Sequence, residues 1–138
     1  MNTRLMLCCA LTLALTTLGE AFAQAPSRSQ QAVAAPEFAV LKGSWVRPDG
    51  GYTIAVNGIA SDGRLDALYF NPAQLPFARA QASREGAALG VFLELTAGGY
   101  AGSTYELTYD PASDSLKGTY YQAVAKQKFD VHFVRRKL

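Results

Sequence analysis

Tyrosine and glutamate are the side chains with which this chain could do chemistry. Tyr52, Tyr69, Tyr105, Tyr109 and Tyr120, five of its seven tyrosines, fall at spacings that pleated strands would turn to one side. A buried phenol must find a hydrogen-bond partner, so such a face implies water, a polar network or a ligand. Glu94 and Glu106 each lie six residues from Tyr100, and a hairpin folded about that residue would set them opposite one another. Burial of such a pair would raise at least one pKa and could equip a general acid. The other reading has both carboxylates facing water beside Arg79 and Lys117. His132 is the single histidine and alternates outward with Asp130 and Val134. Without a second His or a nearby Cys it completes neither a nucleophile pair nor a zinc cluster. The glycine-rich stretch "TAGGYAG" has no helix after it and is no phosphate loop. No catalytic group, metal or cofactor is expected.

The elements that must position these residues begin after a leader. A basic start (Met1–Arg4), an apolar run (Leu5–Leu18) and an Ala21-Phe22-Ala23 cleavage motif have the layout of a secretory signal peptide. The run is shorter than the roughly 20 residues a membrane span needs. Cleavage after Ala23 would remove Cys8 and Cys9, the only cysteines, leaving an exported chain, periplasmic or fully secreted, without disulfides. Gln24–Pro36 is polar, small and proline-bounded, and reads as a disordered lead-in. Residues 37–138 suit one domain with one core. The formal net charge of +2 survives cleavage, which takes one Arg and one Glu. That balance predicts neither nucleic acid nor an anionic membrane as the main partner. The basic residues Lys126, Lys128 and Arg135-Arg136-Lys137 read as a solvated patch.

From Glu37 onward, segments rich in Val, Tyr, Phe, Leu and Thr alternate with turn signals, and eight strands are expected. They are Gly43–Arg47, Gly51–Ile59, Arg64–Asn71, Phe77–Arg84, Leu89–Thr96, Ser103–Asp110, Ser115–Val124 and Lys128–Arg136, with a short helical turn near Phe38–Leu41. The fold class is all-β, an antiparallel up-and-down meander that closes into a barrel to remove its edges; a two-layer sandwich is the alternative. A turn through Asp110–Ser115 would pair Tyr109 with Leu116 and Tyr105 with Tyr120. A turn centred on Lys126 and Gln127 would pair Val124 with Phe129 and Tyr120 with Phe133, and would leave Arg135 beside Gly118.

Closure would bring the end of the last strand against "GSW" at the start of the first. Trp45 and Arg135 would then stack across the barrel floor, with Gly43 letting the backbone approach closely. This Gly-x-Trp with a late arginine resembles the calycin group, meaning lipocalins, fatty-acid-binding proteins and avidins. "LKGSWVRPDGGYTIAVNGIASDG" is also similar to the opening hairpin of an avidin. The resemblance implies a meander barrel in which Arg135, or Arg136 after a slip, packs on Trp45. It does not extend to the avidin ligand, because avidins line their biotin site with several tryptophans and this chain has one. Nor does Thr108-Tyr109-Asp110 reproduce the Thr-Asp-Tyr turn of lipocalins.

If Trp45 marks the floor, function belongs at the other end, where Arg47–Gly51, Asn71–Pro76, Ala97–Gly102 and Val124–Lys128 gather. "NPAQLP" and "AGGYAG" read there as mobile rims. The expected function is binding of a small apolar or aromatic molecule at that mouth by Tyr52, Tyr69, Asn71, Tyr100, Tyr105, Tyr120 and Gln122. The alternative is a protein partner gripped through rim loops 71–76 and 97–102, with the tyrosine rings simply filling the barrel.

Overall fold

The computed structural model of the protein describes residues 36–96 and 98–137; the expected leader and all of the expected lead-in except Pro36 lie outside them. A 3₁₀ segment, Pro36–Leu41, precedes eight strands: β1 (Gly43–Val46), β2 (Thr53–Ile59), β3 (Leu65–Asn71), β4 (Ala73–Glu85), β5 (Ala88–Leu95), β6 (Thr104–Asp110), β7 (Ser115–Gln122) and β8 (Gln127–Arg135). Each strand pairs with its sequence neighbours, and β8 pairs antiparallel with β1, so the sheet closes into a barrel. Closure excludes the sandwich. Among the described residues no helix is long and apolar enough to cross a membrane.

Alternation builds the interior. Val91, Leu93 and Leu95 on β5 are buried with Tyr105 and Leu107 on β6, Leu116 and Tyr120 on β7, and Val131 and Phe133 on β8. Their outward neighbours, Glu106, Thr108, Lys117 and His132 among them, are exposed. Tyr105↔Tyr120 and Tyr109↔Leu116 pair as the Asp110–Ser115 turn requires.

Two registers and one loop differ from the sequence reading. The β7–β8 turn occupies Ala123–Lys126, with Lys126 at a positive φ of 53°, so Tyr120 pairs with Phe129 and Leu116 with Phe133. Arg135 therefore reaches Asp114 rather than Gly118. At Gly118 it is backbone that comes close: a Cβ there would collide with the carbonyl of Glu106 on β6. The β5–β6 turn is centred nearer Gly99, so Glu94 pairs with Thr104 and Glu106 with Phe92. The two glutamates are not cross-strand partners. Finally, "NPAQLP" is no loop. β4 begins at Ala73 and folds straight back on β3, Leu75 beside Tyr69 and Pro76 beside Leu68. Pro76 is tolerated because pairing with β5 starts only at Phe77, so the proline interrupts no ladder on that side.

The β1–β8 seam is the shortest in the barrel, with two register pairs, Trp45↔Arg135 and Val46↔Val134. Side chains reinforce it. The Arg135 guanidinium lies 4.2 Å from the centre of the fully buried Trp45 ring. Its Nη1 donates to the Lys42 carbonyl at 2.8 Å, its Nη2 to Val40 at 2.7 Å and its Nε to Asp114 Oδ2 at 2.7 Å. Trp45 Nε1 donates to the Leu41 carbonyl at 2.9 Å. The last carbonyls of the 3₁₀ segment, which have no partner within it, are thus satisfied by the Trp–Arg pair, and the segment is held there as a floor. Gly43 is needed for this: its φ is +135°, and a Cβ would lie 2.8 Å from Arg135 Nη1. The space at Gly43 thus belongs to the arginine.

Asp114, at a positive φ of 45°, accepts from both Arg135 and the Tyr109 hydroxyl. The Arg135 hydrogen bond, aided by Tyr109, holds its carboxyl below the ordinary 3.8. A carboxylate with a depressed folded pKa contributes stability that is complete above its unfolded pKa and lost as pH falls through the folded value. Melting temperature should therefore decline as pH drops below 3.8, and Asp114→Asn should flatten that acid limb; an unchanged limb would remove Asp114 from the floor. Trp45→Ala should cost about 3–5 kcal/mol in urea unfolding. Combined with Arg135→Ala, the loss should fall short of the sum by about 0.5–2 kcal/mol, whereas strict additivity would mean that the stack contributes nothing.

Candidate functional site

Opposite the floor, the inward-facing residues change from aliphatic to phenolic. Tyr52 immediately precedes β2, Tyr69 nears the end of β3, Tyr105 is the second residue of β6, and Tyr120 and Gln122 close β7. Tyr100 reaches in from the β5–β6 loop, where Gly98–Tyr100 forms one 3₁₀ turn. These side chains and Arg47 line a pocket of about 150 Å³ at the barrel mouth. Toward the floor Ile54, Leu116 and Phe133 are almost wholly buried, while Leu93 pairs with Tyr105 and Leu95 stands at the mouth end of β5.

The rings form one chain of contacts. Tyr52 and Tyr69 are nearly parallel at 6.3 Å between centroids, Tyr69 meets Tyr105 at 6.0 Å, and Tyr105 stacks on Tyr120 at 4.6 Å. Pairs of this kind contribute about 0.5–1.5 kcal/mol beyond their buried area. The Tyr69 and Tyr105 hydroxyls share a hydrogen bond at 3.2 Å. Asn71 Nδ2 donates to the Tyr100 hydroxyl at 2.8 Å, which fixes the rim ring from behind the pocket. Among the described residues no buried side-chain nitrogen or oxygen lacks a partner. Burial, reinforced by the neighbouring Tyr105 hydroxyl, pushes the Tyr69 phenol far up. Burial likewise pushes Tyr105 up, with the Tyr69 hydrogen bond and the Arg47 charge acting in the opposite direction. Tyr69 and Tyr105 are therefore protonated phenols at neutral pH.

Arg47 was expected in a mouth loop, Arg47–Gly51, but not among the residues lining the pocket. It follows β1, and the loop after it is tied by Gly51 N–H to the Arg47 carbonyl at 2.9 Å and by Arg47 N–H to the Tyr52 carbonyl at 2.8 Å. Its guanidinium stands 5.1 Å from the centre of the Tyr52 ring, and Nε and Nη2 donate to both Asp49 oxygens at 2.7 and 2.8 Å. The signal was present: Arg47 is two residues beyond inward-facing Trp45, so alternation alone points it into the barrel.

The structure thus brings together Tyr52, Tyr69, Tyr100, Tyr105, Tyr120 and Gln122, with Asn71 one shell behind. Tyr109 goes to the other end, edge-on to Trp45 at 6.0 Å. The rim is more tied than its glycines suggested. Gly102 N–H reaches the Leu95 carbonyl at 3.0 Å, and the buried Ser103 Oγ accepts from Ala123 N–H at 3.1 Å, joining two mouth loops. Gly43, Trp45 and Arg135 form the floor as expected. Glu94 and Glu106 lie on the outer surface, away from this pocket, and no three His, Cys, Asp or Glu side chains among the described residues gather in a metal-binding group.

Comparison with known proteins gives no matching family model, no matching curated protein and no matching solved structure. Likeness to the calycins therefore rests on the closed eight-stranded antiparallel meander.

Tyr69→Phe should strand the Tyr105 hydroxyl in a buried setting and cost about 1–3 kcal/mol. Adding Tyr105→Phe should recover part of that loss in urea unfolding. If the double variant loses the full sum, the hydroxyl pair is not a coupled unit.

Proposed function

We propose that this protein is an exported, calycin-like binding module that holds a small aromatic molecule of about one ring at the mouth opposite Trp45. The observation that carries this reading is the tyrosine-lined pocket of about 150 Å³. Its size decides between ligand classes. Pockets for drug-sized molecules run to roughly 300–1,000 Å³, whereas a cavity of about 150 Å³ holds benzene. A fatty acyl chain or a bicyclic vitamin is too large unless the packed rings part. The phenolic walls favour a flat ring, which can stack or meet them edge-on, and Gln122 and the hydroxyls can orient polar substituents. The signal-peptide layout of Met1–Ala23 supports export.

A second reading has one observation in its favour. Val124 and Phe129, at 74% and 42% exposed, sit on the β7–β8 hairpin beside the mouth and would suit a protein partner. Of the rim segments first expected to serve it, 71–76 is largely strand, leaving Gly98–Gly102 and Ala123–Lys126 as the gripping surface.

Calorimetric titration tests the small-ligand reading, and silence from both probes below would leave the protein-partner reading standing. Benzyl alcohol should bind with a dissociation constant between about 10 µM and 1 mM, the range open to so small a ligand, and palmitate should not bind. Tyr100→Ala should weaken benzyl alcohol by about tenfold by opening the rim. Saturable palmitate binding with no response to benzyl alcohol would overturn the single-ring reading.

A further inference from the structure

We propose that the ligand is a single-ring aromatic carboxylate, bound by Arg47 in place of Asp49. The inference rests on the pocket reading above and specifies its chemistry. Two arginines flank the barrel interior, and they are satisfied in very different ways. Arg135 at the floor donates to Val40, Lys42 and Asp114, contacts that span the fold and seal its shortest seam. At the mouth Arg47 has one acidic partner, Asp49, two residues along the same loop. The Arg47 side chain is only 16% exposed, whereas that of Asp49 is 59% exposed. A cation held at a pocket wall is thus balanced by a carboxylate standing mostly in water.

Exchange would replace one bidentate pair by another: Asp49 is 59% exposed, so water solvates its released carboxylate, while the incoming carboxylate takes up the same two hydrogen bonds. A ligand carboxylate offers the same two oxygens to the same Nε and Nη2 fork, and brings a ring that the phenols can cover. Arginine suits this role because its planar guanidinium matches a carboxylate with two parallel hydrogen bonds. No acidic side chain lines the pocket to oppose the incoming charge. Tyr69 and Tyr105, held protonated by burial, stand in the same wall, and Tyr105 is near enough to Arg47 for the two to influence one another. The Tyr52 ring under the guanidinium keeps the fork in place while its partner changes.

Benzoate and benzyl alcohol, which share a ring and differ in charge, test the assignment by calorimetry on the full mature chain. Benzoate should bind about tenfold or more tightly than benzyl alcohol. Arg47→Met, which keeps the stem over Tyr52, should erase that preference, bringing the ratio of benzoate to benzyl alcohol affinity down to about one or below. Asp49→Asn, an exposed change with no reason to disturb folding, should tighten benzoate by about two- to fivefold by removing its competitor. Equal binding of the two probes, or a benzoate preference that survives Arg47→Met, would overturn the carboxylate assignment and leave the pocket reading standing. Failure of both probes to bind would overturn both. Weaker benzoate binding in Asp49→Asn would show that Asp49 supports the site and does not compete for it, which also defeats the exchange.

Discussion

The guanidinium of Arg135 is the point on which the barrel's closure depends. A meander of eight strands is an open sheet until its first and last strands meet, and here they meet over only two register pairs. Backbone hydrogen bonds along so short a seam leave little margin against opening. Arg135 adds contacts perpendicular to the seam: the indole of Trp45 on β1, carbonyls of the 3₁₀ segment and its vicinity, and Asp114 in the β6–β7 turn. One side chain thereby ties the last strand to three other parts of the chain. Gly43 is its steric condition and Trp45 is its platform.

Sealing one end has a consequence for the other. With Trp45, Phe133 and the aliphatic side chains filling the lower barrel, cavity space remains where small turns and phenols replace branched aliphatics. The tyrosines are suited to that transition, since each ring packs downward while its hydroxyl stays near polar company. The Tyr69 and Tyr105 hydroxyls pair with each other and the Tyr100 hydroxyl with Asn71; the ligand proposed above would meet groups already held, which reduces the cost of binding. The two arginines divide the work by position. A guanidinium with partners in the 3₁₀ segment, β1 and the β6–β7 turn serves closure, and the one with a single local acidic partner is the one for which exchange is proposed.

The faces of the strands were legible in the residues, but their partners were less so. Alternation with period two assigns Tyr105, Leu107, Tyr120 and Phe133 to the interior whatever the turn lengths. Sliding a hairpin by an even number of residues preserves every face while changing every pair. That is how Tyr120 came to be expected beside Phe133 and lies beside Phe129, and how Glu94 and Glu106 seemed to oppose one another. Turn geometry decides these slips: Lys126 adopts a positive φ and ends its turn early, and the Gly98–Tyr100 turn moves its hairpin's centre. In "NPAQLP" Asn71 and Pro72 make a turn as their types suggest, but the strand resumes at Ala73 and absorbs Pro76, because Pro76 precedes the start of the β5 ladder at Phe77.

By itself the sequence determined the number of strands, the side each residue faces, the aromatic lining and the Gly-x-Trp seal, all of which follow from local pattern and residue type. It also placed the mouth opposite Trp45, since alternate turns of a meander fall at alternate ends. Only the tertiary structure decided the registers, the partnership of Arg135 with Asp114, the size of the pocket and the presence of Arg47 in its wall. Those depend on turn conformations and on how far large rings interpenetrate across a closed barrel, quantities set by distant parts of the chain acting together. A period-two pattern carries the direction of a side chain. The distance to whatever it meets is settled only when the ring of strands closes.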